Sequence, residues 1–202
     1  YTLSLHDALP IFPGGFMVYN TLDVLGAALE LGIPIEQSAA VLSRAAHVKG
    51  RVEVVPTPGK AYTILIDYAH SPDSMVNVLQ TVKGFAKGRT IALFGCGGDR
   101  DKGKRPKMGR AAAENADFAI VTTDNPRTER PGDIIADILP GLEGLGTPYE
   151  VVEDRVEAIH WAMDHAEPGD VIVLCGKGHE TYQEVGHEKR HMDEREIVRD
   201  YL

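Results

Sequence analysis

The sequence predicts an α/β fold, an open and mostly parallel sheet with helices on both faces, preceded by a short helical piece. Three observations carry this. Apolar runs of strand length alternate with helical patterns from Ala61 to the end of the chain, the pattern that builds βαβ units. The runs Ala61–Asp67, Thr90–Phe94 and Val171–Leu174 are nearly continuous in apolar residues, as strands buried on both faces are. Before Lys49 only helical spacing is present, and the change of period there marks the expected domain boundary.

The elements follow in order. Val18, Leu22, Leu25 and Leu29 recur at helical spacing and predict a helix over Val18–Leu31, stopped by Gly32 and Pro34. A second helix is expected over Ile35–Ala46, with Val41, Leu42 and Ala45 turned inward. Val52–Val55 reads as a strand, Pro56–Gly59 as a turn and Ala61–Asp67 as a buried strand. Ser71-Pro72 starts a helix that runs to Gly84, with proline at its first position. Then come a strand over Thr90–Phe94, an alanine-rich helix over Arg105–Ala116 and a strand over Phe118–Thr122. A helix over Pro131–Leu139, a strand over Tyr149–Val152, a helix over Arg155–Ala166 and a strand over Val171–Leu174 continue the alternation. Tyr182–Val185 opens a hairpin expected to add an edge strand, and Glu194–Leu202 closes the chain as a helix.

Composition narrows the function. The 202 residues are 43% hydrophobic, enough for one core with an appendage. The formal net charge is −9, and no basic patch of the kind that binds nucleic acid is visible. No stretch reaches the roughly 18 apolar residues of a membrane span, and no basic segment precedes an apolar leader. Two cysteines, Cys96 and Cys175, argue against a disulfide framework; with no export signal they suggest the cytoplasm. Tyr1–Ile11 back-translates to something resembling a common sequencing-library adapter, with Phe12 compatible with its next base. Residues 1–12 are therefore expected to be non-native, residues 13–48 a separate helical piece, and residues 49–202 the main domain.

In open α/β sheets, ligands bind beyond the carboxyl ends of the strands. The segments there are Asp67–His70, Gly95–Arg100, Thr123–Arg127 and Gly176–Glu180, all rich in polar, charged or glycine residues. The opposite turns, such as Ala86–Gly88 and Glu167–Asp170, are ordinary connectors. Two motifs fail on inspection. Gly98–Arg105 reads G-x-x-x-x-G-K-R, with Arg105 where a P-loop needs Ser or Thr, and Gly95-x-Gly97 starts a dinucleotide fingerprint whose third glycine is replaced by Arg100. A nicotinamide-dependent oxidoreductase is therefore a distant reading. Arg100 and Arg127 are planar donors suited to carboxylates, whereas Asp124 and Glu180 suit ammonium groups, and Asn125 and the glycine amides serve either. Together they fit a small zwitterion. Competing readings exist: Asp124–Arg127 as a plain turn, since Asn-Pro favours turns; Asp67 as a helix cap; His70 as a structural histidine. Lys102–Lys107 reads as a solvated loop, His160 and His165 as solvated, and Cys96 as a packing residue. His187 and His191 lack a third ligand for zinc.

These residues carry a family resemblance. DYAHSPDS (Asp67–Ser74), FGCGGDRDKGKRPKMG (Phe94–Gly109), TTDNPRTE (Thr122–Glu129) and GKGHETYQ (Gly176–Gln183) resemble, in order and spacing, the diaminopimelate-adding Mur ligases, and the likeness runs from Gly15 to Leu202. It implies a Rossmann-like C-terminal domain preceded by a helical remnant of the central ATP-binding domain. It makes Asp124, Asn125, Pro126 and Arg127, with Arg100, Gly176 and Glu180, the meso-diaminopimelate pocket. Asn20, Arg51, Asp67 and His70 match positions that face the nucleotide; Met17 stands where the family usually has Asn. The implied reaction is ATP-dependent amide formation between diaminopimelate and a UDP-linked muramoyl dipeptide, through an acyl phosphate. ATP and Mg2+ are expected mainly on the central domain, since no GKT or GKS sequence is present. A stand-alone amino-acid-binding module without ligase activity is the alternative.

Overall fold

In the computed structural model, residues 15–44 and 48–202 are described, side chains from residue 19 onward. The adapter-like segment, the side chains of Met17 and Val18, the inward placement of Ala45, and the end of the second predicted helix lie outside the described residues. The chain divides into two compact units, Tyr1–Val48 and Lys49–Leu202.

The first unit has two helices, α1 (Gly15–Glu30) and α2 (Ile35–Leu42). Gly32, at φ 75, ends α1 because a left-handed residue lets the chain reverse; the Ile33 N–H then returns to the Ala28 carbonyl at 2.9 Å. Helix α2 buries only Ser38, and Val41 is 63% exposed rather than turned inward. A helix of two turns shows apolar residues on more sides than one neighbouring helix covers.

The second unit is built on a six-stranded sheet in the order β1-β2-β6-β3-β4-β5. Its strands are β1 (Glu53–Val55), β2 (Thr63–Asp67), β3 (Thr90–Phe94), β4 (Phe118–Val121), β5 (Tyr149–Val151) and β6 (Val171–Cys175). Only β1 runs antiparallel to its neighbour; β2, β6, β3, β4 and β5 are parallel. Around it lie α3 (Pro72–Lys83), α4 (Arg105–Asn115), α5 (Pro131–Ile138), α6 (Arg155–Asp164) and α7 (Glu194–Tyr201). Successive strand residues point to opposite faces. Ile64, Ile66, Leu93, Ile172 and Leu174 meet Ala158, Ile159 and Met163 of α6 and Val198 of α7 in one buried cluster. The alternate residues Leu65, Ala92 and Val173 are equally buried; α3, which contacts β3 and β6, packs with α4, and α4 packs in turn with α5. Strands β3 and β6 are fully buried along their length, which explains their unbroken apolar sequences.

Two expectations change. Tyr182–Val185 (β7) pairs with Glu188–His191 (β8) in a separate two-stranded hairpin, not at the edge of the main sheet; an isolated bridge between Arg127 and Val185, and hydrogen bonds of Gln183 and Glu184 to Asp124 and Asn125, join β7 to the loop after β4. Each face of β7 mixes types, Tyr182 with Glu184 and Gln183 with Val185, so neither is an apolar side to bury against the sheet. Helix α3 is capped by Ser71, which accepts from Ser74 N in a reciprocal capping box, so Asp67 is not the cap.

Candidate functional site

Strands β2, β6, β3 and β4 are parallel neighbours, so the four polar segments that follow them emerge on one edge of the sheet. They enclose a cleft of about 190 Å³. Of the residues singled out in the sequence, His70, Arg100, Asp124, Asn125, Arg127, Gly176 and Glu180 line it, and Pro126 is buried beside them. Tyr68, Gly97 and Lys104 also line it and were not singled out. Asp67 does not line the cleft, and Asn20 lies on α1 in the other unit.

Close backbone approach holds the loops after β3 and β4 together. A Cβ on Gly95 would sit 2.3 Å from the Thr122 carbonyl oxygen, and one on Gly98 only 1.9 Å from that of Pro126. Gly98 N–H donates to the Asn125 carbonyl at 2.9 Å. These glycines serve loop packing, which accounts for a partial dinucleotide fingerprint without the rest of the motif. Arg105, the residue that spoils the P-loop pattern, is fully buried. Its guanidinium donates to both oxygens of Glu129 at 2.8 and 3.0 Å and to Asp137 at 2.8 Å. The Lys102–Lys107 run is thus a short 3₁₀ turn (Lys102–Lys104) leading into α4, not a loop solvated throughout; acids from distant segments supply the partners that local sequence does not show.

Glu129 also accepts from Asp99 N–H at 2.6 Å. The Arg105 guanidinium, the Asp99 amide and Lys102 hold its carboxyl at about 2, against an ordinary 4.5. A carboxyl depressed in the folded state stabilises fully above its unfolded value and loses that contribution as pH falls toward the folded one. Melting temperature is therefore expected to fall more steeply between pH 4.5 and about 2 in the wild type than in Glu129→Gln. Parallel curves for the two proteins over that range would show that the Arg105–Glu129 pair is not formed.

The acidic wall of the cleft is a buried network. Lys177, fully buried, donates to Asn125 Oδ1 at 2.7 Å and Glu180 Oε2 at 3.0 Å, and lies 3.6 Å from Asp124 Oδ1. Asn125 Oδ1 also accepts from Glu184 N–H at 2.9 Å, and its amide nitrogen donates to Glu180 Oε2 at 3.0 Å. Burial opposes ionisation of Glu180, but the donors Asn125 and Lys177 outweigh it and hold the carboxyl below its ordinary value. Asp124 Oδ1 is buried without a hydrogen bond, and a buried carboxylate oxygen in that state is set to take a donor. Sequence reading missed Lys177; its place between Gly176 and Gly178, just after the continuously apolar strand β6, was the available signal.

The opposite wall is cationic. Arg127 sits at φ 49, uncommon for a residue with a side chain. Backbone bonds hold it there, Arg127 N–H to Glu184 O at 3.1 Å and Gly186 N–H to Arg127 O at 2.7 Å. Its Nη1 donates to Gly98 O at 2.9 Å and its Nε pairs with Glu184 at 3.0 Å. The Asp124–Arg127 segment, bent at Asp124, brings three buried or half-buried side chains to the cleft, those of Asp124, Asn125 and Arg127. Arg100 is exposed, and Lys104 Nζ donates to the His70 carbonyl at 3.0 Å. Beside this wall the Arg51 guanidinium lies 5.1 Å from the centre of the Tyr68 ring, which packs 4.7 Å from His70. The Asp67 carboxylate accepts from Val52 N–H at 2.9 Å and Ala69 N–H at 2.8 Å. Burial nevertheless raises its pKa, outweighing those two amides.

Elsewhere, burial pushes the Cys96 thiol up to about 12, as suits a packing residue. His165 is exposed and His160 half-buried, and their rings stack on Trp161 and Tyr201 at 4.0 and 3.9 Å. Among the described residues no group of three or more His, Cys, Asp or Glu is placed to hold a metal ion.

A parallel sheet whose strand ends form a small cleft, acidic on one wall and cationic on the other, defines an α/β domain for a small charged ligand. The chain belongs to the Mur ligase family: residues 50–178 match its glutamate ligase domain. It is 50% identical over 190 residues to the UDP-N-acetylmuramoyl-L-alanyl-D-glutamate–2,6-diaminopimelate ligase of Caldanaerobacter subterraneus subsp. tengcongensis, covering 94% of this chain and 39% of that protein. The ligase of the same name from Clostridioides difficile is 47% identical over 190 residues, with the same coverage. A solved structure of a ligase of this name superposes with a TM-score of 0.74 at 38% identity, over 94% of this chain and 39% of that one. UDP-N-acetylmuramate-alanine ligase from Thermotoga maritima, 22% identical with a TM-score of 0.66, shares the fold over 94% of this chain and 37% of its own. The chain thus spans about two fifths of the length of the curated relatives it matches.

Proposed function

We propose that this chain is the amino-acid-binding part of an ATP-dependent ligase that joins meso-2,6-diaminopimelate to UDP-N-acetylmuramoyl-L-alanyl-D-glutamate in peptidoglycan precursor synthesis. The observation that carries the reading is the opposition of charge across the cleft. Asp124 and Glu180 face Arg100, Lys104 and Arg127 in one space of about 190 Å³, which suits a ligand with amines and carboxylates at its ends. The acidic wall, with Gly176, holds an ammonium end; Arg127 and Arg100 hold a carboxylate end. The domain's contribution to amide formation is to orient the amine nucleophile, and orientation alone removes a large part of such a barrier.

Arg51, Asp67 and His70 of the second unit, and Asn20 of the first, are the nucleotide-facing residues of this reading. The Arg51 guanidinium beside the Tyr68 ring supplies a cation and an aromatic face. No group of three or more His, Cys, Asp or Glu among the described residues is placed to hold a metal ion, and Mg2+ belongs in this reading mainly to the central domain. Among the described residues no helix is long and apolar enough to cross a membrane, and the proposed place of action is the cytoplasm, where the nucleotide-linked substrates are made. A binding module without ligase activity is not favoured, because the similarity to the ligases covers 94% of the chain, beyond the amino-acid-binding domain alone.

Two assays test this. The 202-residue chain, given ATP, diaminopimelate and the UDP-linked dipeptide, is expected to release no ADP above a blank, because it has no GKT or GKS loop. Joined to the preceding domains of one of its relatives, residues 15–202 are expected to support ADP release that depends on diaminopimelate. ADP from the chain alone, or release by the joined protein that is indifferent to diaminopimelate, overturns the reading.

A further inference from the structure

We propose that Lys177 is a positioning residue that keeps Asn125 and Glu180 in their ligand-facing geometry and leaves the acidic wall one unmatched negative charge for the ligand's ammonium. The second half of this rests on the amino-acid reading above; the first half does not.

The geometry of Asn125 leaves little choice. Its Oδ1 takes two donors, Lys177 Nζ at 2.7 Å and Glu184 N–H at 2.9 Å, while Nδ2 donates to Glu180 Oε2 at 3.0 Å. Exchanging oxygen and nitrogen would face an NH2 toward two donors and an oxygen toward a carboxylate, losing all three bonds. Lys177 thus sets the orientation of an amide that otherwise has two nearly equivalent positions. The same ammonium contacts Glu180 Oε2 at 3.0 Å, so Lys177 and Asn125 both hold one oxygen of Glu180, a residue that lines the cleft.

The charge count follows. Arg155 and Glu194, both buried, pair with each other at 2.8 Å. Asp124 and Glu180 share the single Lys177 ammonium, two carboxylates against one cation. The wall keeps a net single negative charge, with Asp124 Oδ1 lacking a hydrogen bond. Without Lys177 two neighbouring carboxylates would be uncompensated, and one of them would take a proton instead of a ligand. A fully buried lysine costs desolvation, which a purely packing position would avoid with methionine.

The test is an NMR titration of the chain itself. Glu180 is faced by Lys177, His179 and Asn125 on its own side, and across the cleft by His70, Arg100, Lys104 and Arg127, none of which hydrogen-bonds to it. In the wild type its carboxyl signal is expected to titrate below the ordinary range, and the Lys177 ammonium to exchange slowly with water. In Lys177→Met the Glu180 titration moves to higher pH and the Asn125 side-chain amide signals shift. Lys177→Arg returns the titration to low pH without restoring the amide signals, because a planar fork cannot occupy the ammonium's place. An unchanged Glu180 titration in Lys177→Met overturns the proposal. So does fast exchange of the wild-type ammonium, a measurement that needs no variant to fold. Diaminopimelate added to the wild type is expected to shift the Glu180 signal, and to bind Lys177→Met roughly tenfold more weakly or worse. Equal binding by the two proteins removes the charge-count half. Absence of binding by the wild type sinks the amino-acid reading and with it that half, while the titration result on positioning stands by itself.

Discussion

Arg127→Ala, in residues 15–202 joined to the preceding domains of a relative, is expected to lower kcat/KM for diaminopimelate roughly 30-fold or more and to affect lysine far less. The two amino acids differ by one distal carboxylate, so a selector must touch that group. Arg127 Nη1 donates to Gly98 O and its Nε pairs with Glu184. These bonds aim the guanidinium and leave its Nη2 protons without an acceptor among the described residues. A carboxylate that takes them gains a charge-assisted, geometrically fixed bond. Removing one partner of a buried hydrogen-bonded charge pair costs about 2–5 kcal/mol, and about 1.4 kcal/mol is a factor of ten in rate. Alanine at φ 49 is no more strained than arginine there, so the substitution adds no backbone penalty of its own. Arg127→Lys should recover little, because an ammonium cannot reproduce the fork. The measured quantity is the ratio of kcat/KM for the two amino acids, before and after substitution. A ratio that does not move assigns Arg127 to the turn alone and shifts the selector's role to Arg100.

Arg155→Met is expected to destabilise the second unit by about 3–5 kcal/mol, the cost of stranding a buried partner charge. For a domain of this size that is a fall of roughly 6–20 °C in melting temperature. Arg155 is 1% exposed and Glu194 is 0%, so water cannot take over from the lost guanidinium. Arg155 Nε donates to Glu194 Oε1 at 2.9 Å, and Nη2 donates to the Cys175 carbonyl at 2.8 Å; Nη1 reaches the Thr123 carbonyl at 3.5 Å. The side chain therefore joins the start of α6 to the start of α7 and braces the backbone just before Gly176 and Asp124. Burial already raises the Glu194 pKa against the pull of Arg155, and its Oε2 has no hydrogen bond. Arg155→Met with Glu194→Met should recover most of the loss, since a buried pair replaced by apolar residues is often neutral. A melting temperature within about 2 °C of wild type for the single substitution would show that the pair contributes little.

The order and type of the main elements were legible because they rest on short-range physics. Continuous apolar runs mark β3 and β6, which are buried on both faces. Ser71-Pro72 starts α3 with a capping box, and proline at the first position starts α5. The cleft was legible in outline for a related reason. A parallel sheet puts every strand's carboxyl end on one edge, so residues after the strands meet whatever their distance in sequence.

The sequence also misled where a residue's environment comes from far along the chain. Tyr182–Val185 looked like an edge strand, but no apolar face joins it to the sheet. Arg105 looked solvated, yet Glu129 and Asp137, on segments more than 20 residues away, enclose it completely. Lys177 looked like a member of a glycine-rich loop and proved to be the buried cation on which Asn125, Glu180 and Asp124 converge. Hydrophobic period and capping are properties of neighbours in sequence, and they specified the sheet, its helices and the edge that bears the cleft. Which charges are buried, and which of them pair, depends on desolvation and on partners brought together only when the strands are stacked side by side, so that part was decided by the tertiary structure.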